Sequence, residues 1–382
     1  MKIAIVSSGR QHFLNLAVEL QNLGHDVRFY SFVTPGFAER FGLKRENCRT
    51  QILWVLPLLV LLRQRVFKLP RPIKAWAQFL VELFVDIAAS LFMEPCDVMI
   101  GHSLVAYRSA KAAKRKYGAK IICDVGTKHI EVVDRILAKV GGVEHFGRTV
   151  KRSLAFYEIA DRITIPATHA LQSFLDEGFP REKLFCNPYG CDLEHFKPTA
   201  LEKTAADVIF VGNWGLGKGC DLLCKACLEE LKVKLLHVGG SRDDYPYPDS
   251  PLFTHIDPVP QNELPKYYAR AKVFCLASRA EGFALVLFQA VACGLPVVYS
   301  PETGGTDMRD LIGDSPFLIK MEALDVKSLS KALSAALAAA DSVPAPDGKR
   351  DYAGKAREAL SWQAYGRRYS QFLENFLSAS SN

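Results

Sequence analysis

Apolar runs of a few residues alternate with longer stretches of helical period along nearly the whole chain, and the alternation starts twice. Lys2 to Val6 leads through Ser7-Ser8-Gly9 into a helix from about Gln11 to Leu23 and a second strand, Asp26 to Phe32, which is a βαβ opening. Strands follow at Val98 to Gly101, Ala119 to Cys123 and Arg162 to Ile165, with helices near 75 to 93, 104 to 117, 130 to 138 and 146 to 159 between them. After Phe196-Lys197-Pro198 the pattern restarts. Its strands are Asp207 to Val211, Lys234 to Gly239, Lys272 to Leu276 and Pro296 to Tyr299, and its helices Cys220 to Leu231, Glu263 to Ala269 and Phe283 to Cys293. Such alternation implies parallel sheets covered on both faces, hence an α/β chain with two doubly wound domains, 1–198 and 199–361, and a last helix over about 362–380. Sheets of this kind bind ligands beyond the carboxyl ends of their strands, which places the site in the cleft between the halves.

A length of 382 residues, 49 % apolar and 23 % charged, suits a soluble globular protein with ample core. Met1-Lys2 runs straight into an apolar strand with no signal-peptide pattern, and ten dispersed cysteines fit a reducing compartment; a cytoplasmic location is expected. Charge is uneven. Residues 1–200 carry 28 Lys/Arg against 19 Asp/Glu, whereas 201–382 carry 20 against 22. Between Glu46 and Glu82 there is no acidic residue, and Arg49, Arg63, Arg65, Lys68, Arg71 and Lys74 flank the apolar run Ile52 to Leu62. That run is too short to span a bilayer. It reads either as a segment lying on the anionic inner face of a membrane or as a buried strand followed by a solvated basic helix. Nucleic acid is not an expected partner.

The chemistry concentrates in Ser278-Arg279-Ala280-Glu281-Gly282-Phe283-Ala284-Leu285 and the helix after it, closed by Gly294 and Pro296. A helix that starts directly after a strand offers free N–H groups and a positive dipole end to a diphosphate. Glu281, Leu285 and Gln289 are spaced i, i+4, i+8 and would share one stripe, with Glu281 and Gln289 about 12 Å apart. That is the reach from sugar to ribose in a nucleotide diphosphate sugar. Upstream, Gly212 to Gly219 nearly spells a P-loop, but Gly219 stands where the Mg²⁺-binding Ser or Thr belongs. Cys220, Cys224 and Cys227 have an iron-sulfur-like spacing; at i, i+4, i+7 on a helix they read instead as one buried face.

These features resemble the retaining GT-B glycosyltransferases of the family-4 (group 1) type, over most of the chain and best from about 185 to 310. Glu281 to Gln289 is similar to the family's E-x7-E segment. Pro188-Tyr189-Gly190-Cys191-Asp192 with Phe196-Lys197-Pro198 resembles its hinge, and Val211-Gly212-Asn213 with Lys218-Gly219 its V-G-R…K-G loop. The resemblance implies two facing Rossmann-like domains, donor bound on the second and acceptor on the first, with the last helix crossing back to the first. It implies sugar transfer from a nucleotide diphosphate sugar, with retention, to a carbohydrate or lipid-linked acceptor in glycan, glycolipid or polysaccharide biosynthesis. By position, Glu281 would contact the sugar and Lys218 the leaving diphosphate. Gly282, Phe283, Ala284 and Leu285 would hold the distal phosphate, Gln289 the ribose, and Gly212, Asn213 and Arg279 would flank the donor. Gly9 lies in the first turn, where the backbone can approach donor or acceptor. His129, after the strand ending at Cys123, corresponds to a family His beside the reacting sugar; His102 is a second cleft candidate on the acceptor side. Two departures stand out. Asn213 replaces an Arg and Gln289 a Glu, which leaves room for a non-catalytic donor-binding protein or a GT-B-type sugar-nucleotide epimerase. Asp-x-Asp is absent, and the adjacent Asp243-Asp244 has no evident ligand partners, so neither metal nor cofactor is expected.

Overall fold

The computed structural model describes residues 1–62, 70–139, 145–198, 206–241, 245–342 and 354–379. Arg63, Arg65, Lys68, Asp243, Asp244 and most of the loop between Ala340 and Gly354 lie outside the described residues. The first sheet comprises β1 (Lys2–Val6), β2 (Asp26–Ser31), β3 (Cys48–Thr50), β4 (Val98–His102), β5 (Lys120–Asp124), β6 (Arg162–Ile165) and β7 (Leu184–Cys186). Its order is β3-β2-β1-β4-β5-β6-β7, parallel throughout. The second comprises β8 (Ala206–Val211), β9 (Leu235–Val238), β10 (Phe253–Ile256), β11 (Ala271–Leu276), β12 (Val297–Tyr299) and β13 (Leu318–Lys320), in the order β10-β9-β8-β11-β12-β13, also parallel.

The central strands are buried because helices cover both of their faces, so their sequences are near-continuous apolar runs; all five residues of β4 are buried. Winding reverses between β1 and β4 in the first sheet and between β8 and β11 in the second. At these switch points neighbouring strands send their connections to opposite faces and leave a crevice at their carboxyl ends. The β1 exit at Ser7-Ser8-Gly9 borders one crevice, and the β8 and β11 exits border the other.

Chain segments 361–379 return to the first sheet. Ser361 bridges Cys191, and a Cβ on Gly190 would lie 2.5 Å from the Trp362 backbone, so the hinge needs a glycine where the crossing strap presses on it. The helix Trp362–Ala379 then buries Tyr365, Tyr369 and Leu373, and Gly366 lets its backbone approach Glu19 of the helix Gln11–Asn22.

Ile52–Leu61 is a helix, not a strand. It rests on the helix Arg71–Phe92 through Val55, which packs with Val81, Val85 and Val105. Most of its other side chains point outward, with Leu53 82 % exposed. Strands β3, β7, β10 and β13 have no counterpart among the sequence expectations. All four are edge strands of three or four residues, so they lack the apolar run that marks a central strand.

Candidate active site between the two sheets

On the second sheet, the β8 exit turns through Gly212 and carries Lys218 back toward the end of β11. Gly219, at φ 70°, makes this possible: a Cβ there would sit 2.1 Å from the Ala277 carbonyl oxygen. Lys218 Nζ donates to the Glu281 carboxylate, and Ser278 Oγ donates to the same oxygen at 3.0 Å. Arg279 faces away from this pair. Its guanidinium holds both oxygens of Asp221 at 2.7 and 2.8 Å, a fork that raises its pKa, and its backbone N–H binds Gly217. Arg279 therefore braces the loop that carries Lys218. Asn213 is exposed just past Gly212.

The helix after β11 spans Leu285–Ala292, two residues shorter at its start than expected, because Ala284 adopts a left-handed conformation at φ 70°. Glu281 consequently sits in the turn, off the helix stripe. Only Leu285 and Gln289 share that stripe, and both line a cavity of about 1100 Å³ between the sheets. The Leu287 N–H donates to the Ala284 carbonyl at 3.0 Å, and the N–H groups ahead of it precede the first helical turn. Gln289 is buried, and its Oε1 accepts from the Tyr268 hydroxyl at 3.2 Å. Phe283 is buried against Phe288 and the Tyr189 ring. Lys218 and Glu281 are not among the residues that line the cavity.

The turn that carries Glu281 abuts the first domain. A Cβ on Gly282 would lie 1.9 Å from the Gly126 carbonyl oxygen, so the two loops touch backbone to backbone. His169 Nε2 donates to the Glu281 carbonyl at 3.0 Å, Lys128 pairs with Glu302, and the Thr168 N–H and hydroxyl both donate to Asp307, at 2.8 and 2.6 Å. Sequence reasoning missed these cross-cleft residues, since their partners are more than a hundred positions away.

The structure does not bring His129 to Glu281. The residue is 3 % exposed, its ring is boxed by Tyr157, Phe174 and Phe179, and its backbone N–H donates to Ser173 Oγ at 2.8 Å. Burial in that aromatic box holds its pKa down. Glu131 and Glu177 lie near enough to join it around a cation, but Glu177 already pairs with Arg135. His102 ends β4 against Phe13, and burial lowers its pKa to about 3. Gly9 is buried beside Phe32 on the first-domain side. Cys220 and Cys227 are buried and Cys224 partly so; burial pushes the Cys220 and Cys224 thiols up to about 12, which suits packing rather than ligation.

His12 is a cavity residue that the sequence did not reveal. It opens the helix Gln11–Asn22 beside Arg10 and Asn15, facing Leu285 and Gln289 across the cavity. Its Nε2 lies 2.8 Å from Asp124 Oδ1 at the end of β5, and its ring stacks on Tyr189 at 4.2 Å.

Residues 205–339 match the family model for glycosyl transferases group 1, and residues 9–190 that for the glycosyl transferase 4-like domain. The D-inositol 3-phosphate glycosyltransferase of Acidothermus cellulolyticus is 28 % identical over 257 residues, covering 58 % of this chain and 56 % of the relative. The GDP-mannose-dependent alpha-mannosyltransferase of Mycobacterium tuberculosis is 30 % identical over 41 % of this chain and 42 % of its own. The chain thus spans about half the length of the curated relatives it matches. Among solved structures, sucrose-phosphate synthase from Thermosynechococcus elongatus superposes with a TM-score of 0.67 at 17 % identity, covering 99 % of this chain and all of the other. Anabaena HepE in complex with UDP and glucose gives 0.62 at 12 % identity, over 98 % and 100 %. The two facing parallel-sheet domains are the GT-B fold.

Proposed function

Because the chain belongs to the group 1 glycosyltransferases of the family-4 type, we propose that it moves a sugar from a nucleotide diphosphate sugar to a carbohydrate or lipid-linked acceptor, with retention and without a metal, in glycan biosynthesis. One observation carries this reading: Lys218 and Glu281 meet where the β8 and β11 loops flank the switch point, beside a helix head that points at the first domain. The N–H groups from Gly282 to Leu285 take the distal phosphate, Lys218 the charge that grows on the departing diphosphate, Glu281 the sugar hydroxyls, and Gln289 a ribose hydroxyl. The bond from the sugar's anomeric carbon to phosphate breaks as the acceptor oxygen bonds to that carbon from the same face. On that face the departing phosphate oxygen is the nearest base and takes the acceptor's proton. Lys218 meets the need for a cation in a chain with no Asp-x-Asp. HepE, crystallised with UDP and glucose, supports a nucleotide-sugar donor for this fold.

The reading includes a peripheral position at the cytoplasmic face of a membrane. All ten cysteines are free thiols, in keeping with a reducing compartment, and the helix Ile52–Leu61 presents an apolar surface.

Lys218→Ala should lower transfer roughly 100-fold or more, as removal of a transition-state donor does, with nucleotide release followed in the presence of acceptor. Unchanged transfer would overturn the assignment. Proton NMR of the product should show the donor's anomeric configuration; the opposite anomer would end the claim of retention. A donor converted to a second nucleotide sugar without acceptor would identify an epimerase instead.

A further inference from the structure

Asp124, 2 % exposed at the carboxyl end of β5, receives three donors. His12 Nε2 approaches Oδ1 at 2.8 Å, and Thr164 Oγ1 and the Tyr369 hydroxyl approach Oδ2 at 2.8 and 3.3 Å. The Tyr189 hydroxyl also lies 3.3 Å from Nε2. A carboxylate can only accept, so a neutral His12 ring carries its proton on Nε2, facing Asp124, and leaves Nδ1 as a lone pair. Among the described residues Nδ1 has no protein hydrogen-bond partner, and His12 lines the cavity. The ring plane is fixed by the stack on Tyr189 at 4.2 Å and by Phe13 at 4.1 Å. Tyr189 in turn meets Phe283 edge-on at 5.2 Å, so a single ring separates His12 from the turn that carries Glu281.

A fixed acceptor nitrogen, on a ring backed by a buried carboxylate and lining the cleft from the first domain, selects for a ligand group that can donate a hydrogen bond. A fully ionised phosphate or carboxylate oxygen has only lone pairs to offer and cannot pair with this nitrogen. We propose that His12 Nδ1 is the acceptor subsite's hydroxyl anchor: it accepts a hydrogen bond from a neutral hydroxyl of a sugar or similar polyol, and Asp124 positions it by holding the tautomer. The inference rests on the glycosyltransferase reading for the identity of the second substrate. The two fail separately, because the donor side is probed by nucleotide and the acceptor side by sugar. An alternative, that the pair only ties the helix Gln11–Asn22 to β5, predicts lower stability and no ligand-specific loss.

The test uses methyl α-D-glucopyranoside as the neutral probe and glucose 6-phosphate as the anionic one, titrated by saturation-transfer NMR into protein saturated with UDP or GDP. His12→Phe keeps the ring stack and loses the lone pair; it should weaken the glucoside roughly tenfold, the worth of one hydrogen bond, while nucleotide affinity holds. His12→Gln, which can both donate to Asp124 and accept from a hydroxyl, should recover most of the loss. Asp124→Asn should also weaken the glucoside and move the proton from Nε2 to Nδ1, as read from the ¹⁵N signals of His12. In the wild type, glucoside should shift the Nδ1 signal, and the added phosphate should bring no gain at this nitrogen. Equal glucoside affinity in wild type and His12→Phe would overturn the inference, as would a wild type that binds nucleotide but no glucoside. Loss of nucleotide binding in the wild type would overturn the donor reading instead.

Discussion

His102 shows how a single side chain couples the fold to pH. The unfolded chain takes up its proton near pH 6.5, whereas burial lowers the folded pKa to about 3. Between these values the unfolded state holds more protons, so stability falls as pH drops from 6.5 toward 3 and is unaffected above 6.5. His102→Phe should remove this loss: melting at pH 5 should favour the variant by about 2 kcal/mol relative to the comparison at pH 7.5, and parallel profiles for the two proteins would refute it. Residues differed in how legible they were. Lys218 and Glu281, which the structure pairs, stood out because each matches a family motif in a glycine-containing loop that follows an apolar strand. His129 follows a strand just as closely, but Phe174 and Phe179, more than forty positions later, decide that its ring points into the domain. His12 was hidden for the same reason. Its meaning depends on Asp124, 112 residues away, and a lone His in a helix carries no local signal.

Elements were legible in proportion to their burial. Central strands announce themselves through continuous apolar runs; edge strands such as Cys48–Thr50 do not, because neighbours on only one side hold them. Where apolarity does not track burial, the pattern misleads. Ile52–Leu61 has the composition of a buried segment, yet Leu53, Trp54, Leu56 and Val60 are 45 % exposed or more. The two acids of the supporting helix Arg71–Phe92 are turned inward, Glu82 onto Arg152 at 2.7 Å and Asp86 onto the Arg108 and Ser109 N–H groups. With these acids buried and Lys74 exposed, the outer face offers apolar side chains and positive charge, which complements anionic lipid. The protein should therefore float with phosphatidylglycerol vesicles and not with phosphatidylcholine vesicles, and the combined change Leu53→Ser, Trp54→Ser and Val60→Ser should abolish flotation. Equal binding to both lipids would remove the electrostatic part of the argument.

At the scale of the whole molecule, two doubly wound sheets and a cleft follow directly from the repeated alternation of strand and helix, whereas how the halves meet does not. The Gly126–Gly282 approach, the Lys128–Glu302 pair and the Thr168–Asp307 hydrogen bonds join residues with no shared pattern. Gly282→Ala tests the meeting itself. The new Cβ forces the loops apart and should lower turnover roughly 100-fold, as misplacement by about 1 Å does, with little change in melting temperature; wild-type turnover would show the contact to be dispensable. The strap 361–379 has a different consequence, one of timing. Asp124 receives the Tyr369 hydroxyl from 245 residues downstream, which at ribosomal speeds is roughly 10 to 50 s of synthesis. The first domain therefore leaves the ribosome with its central carboxylate one partner short, and its maturation waits on translation of the second.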